Sequence, residues 1–147
     1  NLAIAKSWLA SSDEYNLLVN GTAITAFPVY YQNDLALLRQ SLRIVQAGTE
    51  VAEVKGKDLI PAHGLAMSRL LKTSVFSTEA LTYEQAIAYL RKEAIVLPPS
   101  VPKGYVLVTY KEIPLGFVKN IGNRANNLYP QEWRIRSGYL PDDIRTL

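Results

Sequence analysis

The chain has 147 residues and a mass of 16.4 kDa, which fits one domain or two very small ones. Its hydrophobic content of 48% argues against intrinsic disorder, and the absence of cysteine excludes disulfides, thiolate metal sites and a cysteine nucleophile. The net charge is only +3, but residues 103–136 carry six lysines or arginines against two glutamates. This local excess of positive charge favours an anionic partner.

The N-terminus predicts neither export nor membrane insertion. It lacks the basic start of a secretion signal, and no run approaches the roughly 18 apolar residues that a membrane span needs. We therefore predict a cytoplasmic protein with no membrane partner. The sequence begins without methionine, which suggests a fragment of a longer protein.

The first half of the chain predicts short strands mixed with short helices. A helix over residues 2–9 is followed by a hairpin at Asn20-Gly21, because this dipeptide between two β-rich runs is a strong hairpin signal. A second helix is expected near residues 34–42. The segment "RIVQ-AG-TEVAEVKG" then predicts a second strand pair that turns at Ala47-Gly48.

The next segment predicts a helix and then a boundary. Pro61 is expected in the first turn of a helix that continues through "PAHGLAMSRLLK", since proline favours that position. Residues 73–81 are interpreted as a connector between two halves.

The second half predicts one capped helix and a small sheet. Thr82 and Gln85 form a capping-box pattern that begins a helix. The runs "YVLVTY" and "LGFVKN" predict two strands, and "WRIRS" predicts a last strand. We therefore expect an α+β protein whose C-terminal half is a small, barrel-like sheet with a capping helix.

The usual signatures of catalysis are missing from the sequence. It contains no P-loop and no glycine-rich dinucleotide motif. His63 is the only histidine, so a typical structural zinc site is excluded. Because His63 follows Pro61 at a predicted helix start, we expect it to pack or cap there. By itself the chain has the character of a binding module.

Residues 119–136 combine the three kinds of side chain that contact nucleic-acid backbones and bases: cations, amides and flat rings. The candidate RNA-binding residues are Lys119, Arg124, Asn126, Asn127, Tyr129, Arg134 and Arg136, with Trp133 as a further ring. The alternative is an ordinary loop, because asparagine and glycine are common in turns and the aromatic rings can seal the sheet. Lys55 and Lys57 form a weaker second basic pair, more typical of a charged turn.

The segment "KGYVLVTYKEIPLGFVKNIGNRANNLYPQEWRIRS" resembles the C-terminal PUA-like domain of RsmF-type rRNA cytosine-5 methyltransferases of the Sun family. The matching positions are Pro102-Lys103-Gly104, Pro114-Leu115-Gly116-Phe117, Lys119, Asn127 and Tyr129-Pro130. Upstream, "PAHGLA" is similar to the family's "PSHALA": Pro61, His63, Leu65 and Ala66 match, whereas Ala62 and Gly64 depart. Lys92 stands where the family commonly has glycine.

This resemblance implies residues 1–76 as a first, mixed α/β segment and residues 77–147 as a PUA-like β-barrel with capping helices. It also implies a parent enzyme that methylates rRNA with S-adenosylmethionine and two catalytic cysteines. Neither cofactor motifs nor cysteines occur here, so the chain would be a non-catalytic RNA-binding region without its own cofactor. Its expected partners are rRNA and the catalytic domain of the same parent chain, with no DNA.

Two other functions remain open from the sequence. The chain can be a docking module that packs on the catalytic domain without touching RNA. It can also be a small PUA-like enzyme that acts on nucleotides, with Lys119 or His63 in its site.

Overall fold

A computed structural model describes residues 1–139 of the protein. The predicted α+β class is confirmed: two four-stranded sheets are combined with four α-helices, consistent with a PUA-like fold. Among the described residues, no helix is both long and apolar enough to cross a membrane. Residues 140–147, the end of the predicted second domain, lie outside the described part of the chain.

The first sheet has the strand order β1-β2-β3-β4, and all its neighbours are antiparallel. Its hairpin of β1 and β2 confirms the prediction at Asn20-Gly21, since Asn20 pairs with Ala23 across the turn. The elements of this half are α1 (Leu2–Ser7), β1 (Tyr15–Asn20), β2 (Ala23–Pro28), α2 (Gln32–Ser41), β3 (Thr49–Lys55), β4 (Asp58–Pro61) and α3 (His63–Met67).

Two predictions in this half are wrong. No strand forms over residues 43–46, because both edges of β3 are already paired, with β2 and with β4. Gly48, with φ +79°, lies against the backbone of Ala26 and does not turn a hairpin. The second hairpin turns at Gly56-Lys57, so Lys55 and Lys57 belong to a charged turn. The predicted helix is also shorter than expected: Pro61 ends β4, and α3 begins two residues later.

The second sheet has the order β5-β6-β7-β8. The predicted capping box is confirmed: the Thr82 hydroxyl accepts from the Gln85 backbone N–H, and the Gln85 side chain accepts from the Thr82 backbone N–H. The elements are β5 (Ser77–Ala80), α4 (Tyr83–Leu90), β6 (Gly104–Tyr110), β7 (Ile113–Asn120) and β8 (Ala125–Asn127). The expected connector thus contains a strand, β5, which pairs in parallel with β6.

The predicted last strand, "WRIRS", is also wrong. Gln131–Trp133 form a 3₁₀ turn, and residues 134–139 have no regular secondary structure. The Ile135 backbone N–H donates to the Leu90 carbonyl at the C-terminus of α4, 2.9 Å away, instead of to a strand. Arg134 and Arg136 therefore lie on a segment bonded to the C-terminal end of α4 and are not part of the second sheet.

The second sheet is buried on both faces, as the alternation of side chains along a strand allows. Val106, Val108 and Val118 pack with α4 in one cluster. Leu107 and Phe117 point the other way and pack in the cluster that also holds the core of the first half. The predicted boundary between residues 76 and 77 falls between the two sheets, and the division of the chain into two domains stays a prediction.

Candidate nucleic-acid interface

The candidate site surrounds β8, the edge strand of the second sheet. Asn126 is exposed and pairs in register with Lys119 on β7. The turn that joins these strands is fixed by Asn120, whose amide donates to the Val101 and Pro102 carbonyls and whose oxygen accepts from Gly122. The predicted loop therefore has a rigid, buried frame and an exposed polar rim.

Lys119 already has an anionic neighbour within the chain. Its Nζ lies 3.3 Å from Oδ2 of Asp58, the first residue of β4, and 5.4 Å from the centre of the Tyr105 ring. This is the only ion pair among residues 1–139. The hydrogen bond with Asp58 raises the pKa of Lys119. A lysine held in the charged form suits an electrostatic contact better than nucleophilic attack.

Asn127 holds the frame together with its side chain. Its Nδ2 donates to the carbonyl of Tyr89, in the last turn of α4, at 2.7 Å and to that of Glu93, just after the helix, at 2.9 Å. Its Oδ1 accepts from the Tyr129 backbone N–H at 2.8 Å. Both amide hydrogens and the oxygen are thus engaged, and the side chain has little capacity left for a ligand.

Tyr129 is half-buried among other rings and does not stand free. Its ring centre lies 5.2 Å from His63 and 5.5 Å from Tyr89, both edge to face. His63 also contacts Trp133 at 5.2 Å. Burial lowers the pKa of His63, whose buried Nδ1 has no hydrogen-bond partner in the described residues. These contacts agree with the predicted packing role of His63.

Lys92 joins this cluster from the end of α4. Its backbone has φ +67°, a conformation that favours glycine. The RsmF-type family that the sequence resembles commonly has glycine at this position. Its Nζ donates to the Tyr129 carbonyl. Burial lowers the pKa of Lys92, against an opposing effect of Glu132. This lysine was not among the predicted site residues, and its departure from the family pattern was the signal that marked it.

Three arginines supply the open positive charge of the candidate site. Arg124, Arg134 and Arg136 are all exposed, and none has a side-chain hydrogen bond or ion pair with another described residue. Arg124 lies in the turn between β7 and β8. Sequence reasoning missed exposed Lys103, whose stem lies against Gly122 in the same turn. Its place in the basic window was the only sequence signal.

The site residues therefore divide into two groups. Asn127 and Tyr129 belong to the internal frame. Lys119 is paired with Asp58. The side chains that face outward are Arg124, Asn126, Arg134 and Arg136. In the described part of the chain, no three acidic or histidine residues are grouped closely enough to hold a metal ion. The open group suits an anionic ligand, because arginine pairs phosphate bidentately and stacks on bases.

Comparison with known proteins finds a family match over the segment that contains most of the candidate site. Residues 76–135 match the family model described as the methyltransferase RsmF PUA domain. The ribosomal RNA small subunit methyltransferase F of Enterobacter sp. (strain 638) is 29% identical over 138 residues, which cover 94% of this chain and 27% of that protein.

Two further relatives carry the same name. That of Shigella boydii serotype 4 (strain Sb227) is 30% identical over 114 residues, covering 78% of this chain and 22% of its own length. That of Klebsiella pneumoniae (strain 342) is 28% identical over 99 residues, covering 67% and 20%. The chain thus spans about a quarter of the length of the curated relatives that it matches.

Proposed function

Residues 76–135 belong to the methyltransferase RsmF PUA-domain family, and from this premise we propose that the chain positions rRNA for a catalytic domain elsewhere in its parent protein. In this proposal the parent is an S-adenosylmethionine-dependent rRNA cytosine-5 methyltransferase, and the chain is its non-catalytic RNA-binding region. The relatives' names support rRNA as the ligand class. A cytoplasmic location, where rRNA is accessible, follows from the same assignment.

The observation that carries the proposal is the open guanidinium charge around β8. Arg124, Arg134 and Arg136 are exposed without a partner among the described residues. The backbone around Arg124 is fixed by Asn120 and Asn127, and that between Arg134 and Arg136 by the bond from the Ile135 N–H to the Leu90 carbonyl. Preorganised cations bind phosphates with little loss of backbone freedom. Exposed charges contribute little to stability, so folding alone does not explain their concentration here.

We propose that the methyl-transfer chemistry resides outside this chain. The cofactor needs a loop that approaches it closely after a parallel strand, and in the described residues β5 and β6 are the only parallel pair. The junction from β5 to α4 has no glycine, and the Thr82 hydroxyl there is occupied by the helix cap. The residues present do not fit an S-adenosylmethionine site. With no cysteine, a thiolate attack on cytosine has no nucleophile here.

We propose docking as a second role, because α2 and the residues that flank it expose large apolar side chains. Leu37 is 63% exposed, Leu42 58% and Tyr30, just before the helix, 86%. Contiguous exposed apolar surface commonly marks a protein contact. We propose that this face packs on the catalytic domain of the parent chain, while the opposite half of the chain remains available for RNA.

The experiment for RNA binding is a fluorescence anisotropy titration of the purified chain with short single-stranded and hairpin fragments of small-subunit rRNA. We expect saturable binding that is weaker for DNA of the same sequence, and no methyl transfer from labelled cofactor. Equal affinity for RNA and DNA, or no binding to either nucleic acid, would contradict the proposed positioning of rRNA. Methyl transfer by the isolated chain would contradict the proposed non-catalytic role.

The experiment for docking mixes the chain with the separately expressed catalytic domain and measures affinity by calorimetry. Leu37→Ser combined with Leu42→Ser should weaken this association at least ten-fold and leave rRNA affinity unchanged. Leu2→Ser is the matched control, since Leu2 is also exposed, at 46%, but lies on α1. Unchanged association in the α2 variant would exclude this face.

A further inference from the structure

A groove of about 750 Å³ lies where the two halves of the chain meet. One wall is formed by Glu50, Glu53 and Lys55 on β3, and the other by Lys92 and Trp133 from the second half. This volume is within the range of small-molecule sites. Arg124, Arg134 and Arg136 are not among the lining residues of the groove, although Arg134 follows Trp133 directly in the chain.

Trp133 provides a flat apolar surface in this groove. Its side chain is 60% exposed, and its backbone N–H donates to the Pro130 carbonyl at 3.2 Å, which holds the 3₁₀ turn. The ring of His63 meets the indole at 80°, so their contact is edge to face and much of the indole stays open. A fixed, exposed indole is the kind of platform on which unpaired bases stack.

The β3 wall provides two carboxylates that no lysine or arginine pairs with among the described residues. Glu50 is half-buried and Glu53 is exposed, and neither forms an ion pair with a described residue. Burial, followed by repulsion from Glu53, raises the pKa of Glu50. An N–H donor would replace the hydration that Glu50 loses by burial, and the amino groups of cytosine, adenine and guanine are such donors.

The cations near the groove can accept the phosphates next to such a base. Lys55 lines the groove on the same strand as the two glutamates, and Arg134 is the next residue after Trp133 in the chain. A nucleotide requires charge of both signs: hydrogen-bond acceptors for the amino group of its base and cations for its phosphates. An acidic or purely apolar ligand would leave one of these sets unpaired.

We infer that the groove holds one unpaired nucleotide of the bound RNA, stacked on Trp133, with its amino group toward Glu50 and its phosphates near Lys55 and Arg134. This inference rests on the proposed RNA binding and adds a ligand class to it: single-stranded RNA with an amino-bearing base, in preference to uracil or duplex RNA.

Tryptophan fluorescence tests the groove directly, because the other tryptophan, Trp8, is buried at 6% exposure. Titration with the mononucleotides CMP, AMP, GMP and UMP should quench the emission in a saturable way, most weakly for UMP. The quenching should be absent in Trp133→Phe. Glu50→Met should reduce the difference between CMP and UMP, whereas Glu79→Met, a half-buried strand glutamate outside the groove, should not.

A second arm uses anisotropy with a single-stranded RNA decamer and a matched duplex. Trp133→Ala should lower affinity for the single strand by roughly ten-fold or more, since a stacked base contributes about 1–3 kcal/mol, and for the duplex by less than two-fold. Ile113→Ala is the control, because Ile113 is 66% exposed and lies outside both the groove and the proposed docking surface. Thermal melts check that each variant folds.

The two arms separate this inference from the proposed function. RNA binding with no quenching and no effect of Trp133→Ala would overturn the nucleotide groove and leave rRNA binding intact. Saturable quenching by mononucleotides without RNA binding would support the groove and overturn the proposed function. If neither quenching nor RNA binding is observed, both the nucleotide groove and the proposed function are overturned.

Discussion

The hydroxyl of Tyr89 occupies the space that a side chain on Gly116 would need. A Cβ on Gly116 would overlap Tyr89 Oη and lie 3.0 Å from His63 Nδ1, and the glycine has φ +143°. The same hydroxyl donates to the Phe117 carbonyl at 3.2 Å. These contacts bring together α4, β7 and α3, whose His63 also lines the groove.

Gly116→Ala should therefore destabilise the protein by about 3 kcal/mol or more, since overpacking adds to the strain of a positive φ. Gly56→Ala is the matched control: its φ is +62°, but no atom lies within 4 Å of the added Cβ, so it should cost only about 1–2 kcal/mol. Urea unfolding of the two variants measures the difference. Equal losses would show that Tyr89 yields freely to the new side chain.

Two adjacent asparagines should behave differently. Asn127→Ala should lower the free energy of unfolding by about 2–3 kcal/mol, because three hydrogen bonds to backbone groups are lost. Asn126→Ala, one residue earlier and exposed, should change it by less than about 0.5 kcal/mol. Thermal and urea unfolding give both values. Similar stability of the two variants would contradict the framework role of Asn127.

Stability should fall with acidification because of His63. Burial depresses its pKa in the folded protein, so the unfolded chain binds the proton more readily. The contribution of neutral His63 is complete above the ordinary histidine pKa of about 6.5 and is lost as the pH falls through the lower, folded value.

The pH dependence of urea unfolding in wild type and His63→Gln measures this effect. The difference in unfolding free energy between the two should shrink as the pH decreases below about 6.5. Taking the difference removes the opposite contribution of Glu50, whose pKa is raised. As His63 is the only histidine, a difference that is constant with pH would show that the ring titrates normally.

Local signals predicted much of the second half correctly. The capping box at Thr82 and the strand pair β6–β7 depend on neighbouring residues, so they are visible in sequence. The turn of that pair is less obvious, since Lys111 and Glu112 both adopt positive φ without being glycine. "WRIRS" alternates like a strand but lies along the end of α4, which only the tertiary structure decides.

The candidate site shows the same limit. Asn126 and Asn127 are indistinguishable in sequence, and only the nearby end of α4 makes one of them part of the frame. The groove is harder to predict from the sequence, because it is lined both by Glu50 on β3 and by Trp133 near the end of the second half. No local pattern reports a juxtaposition across two sheets.

The most direct test of RNA binding is the salt dependence of rRNA affinity in the variant Arg124→Ala, Arg134→Ala, Arg136→Ala. For wild type, the logarithm of affinity should fall linearly with the logarithm of salt concentration, as counterions are released from phosphates. If each arginine meets one phosphate of a single strand, the variant's slope should be shallower by about 2, with folding unchanged. Wild-type affinity and slope in this variant would contradict the account and leave the arginines as a solvated surface.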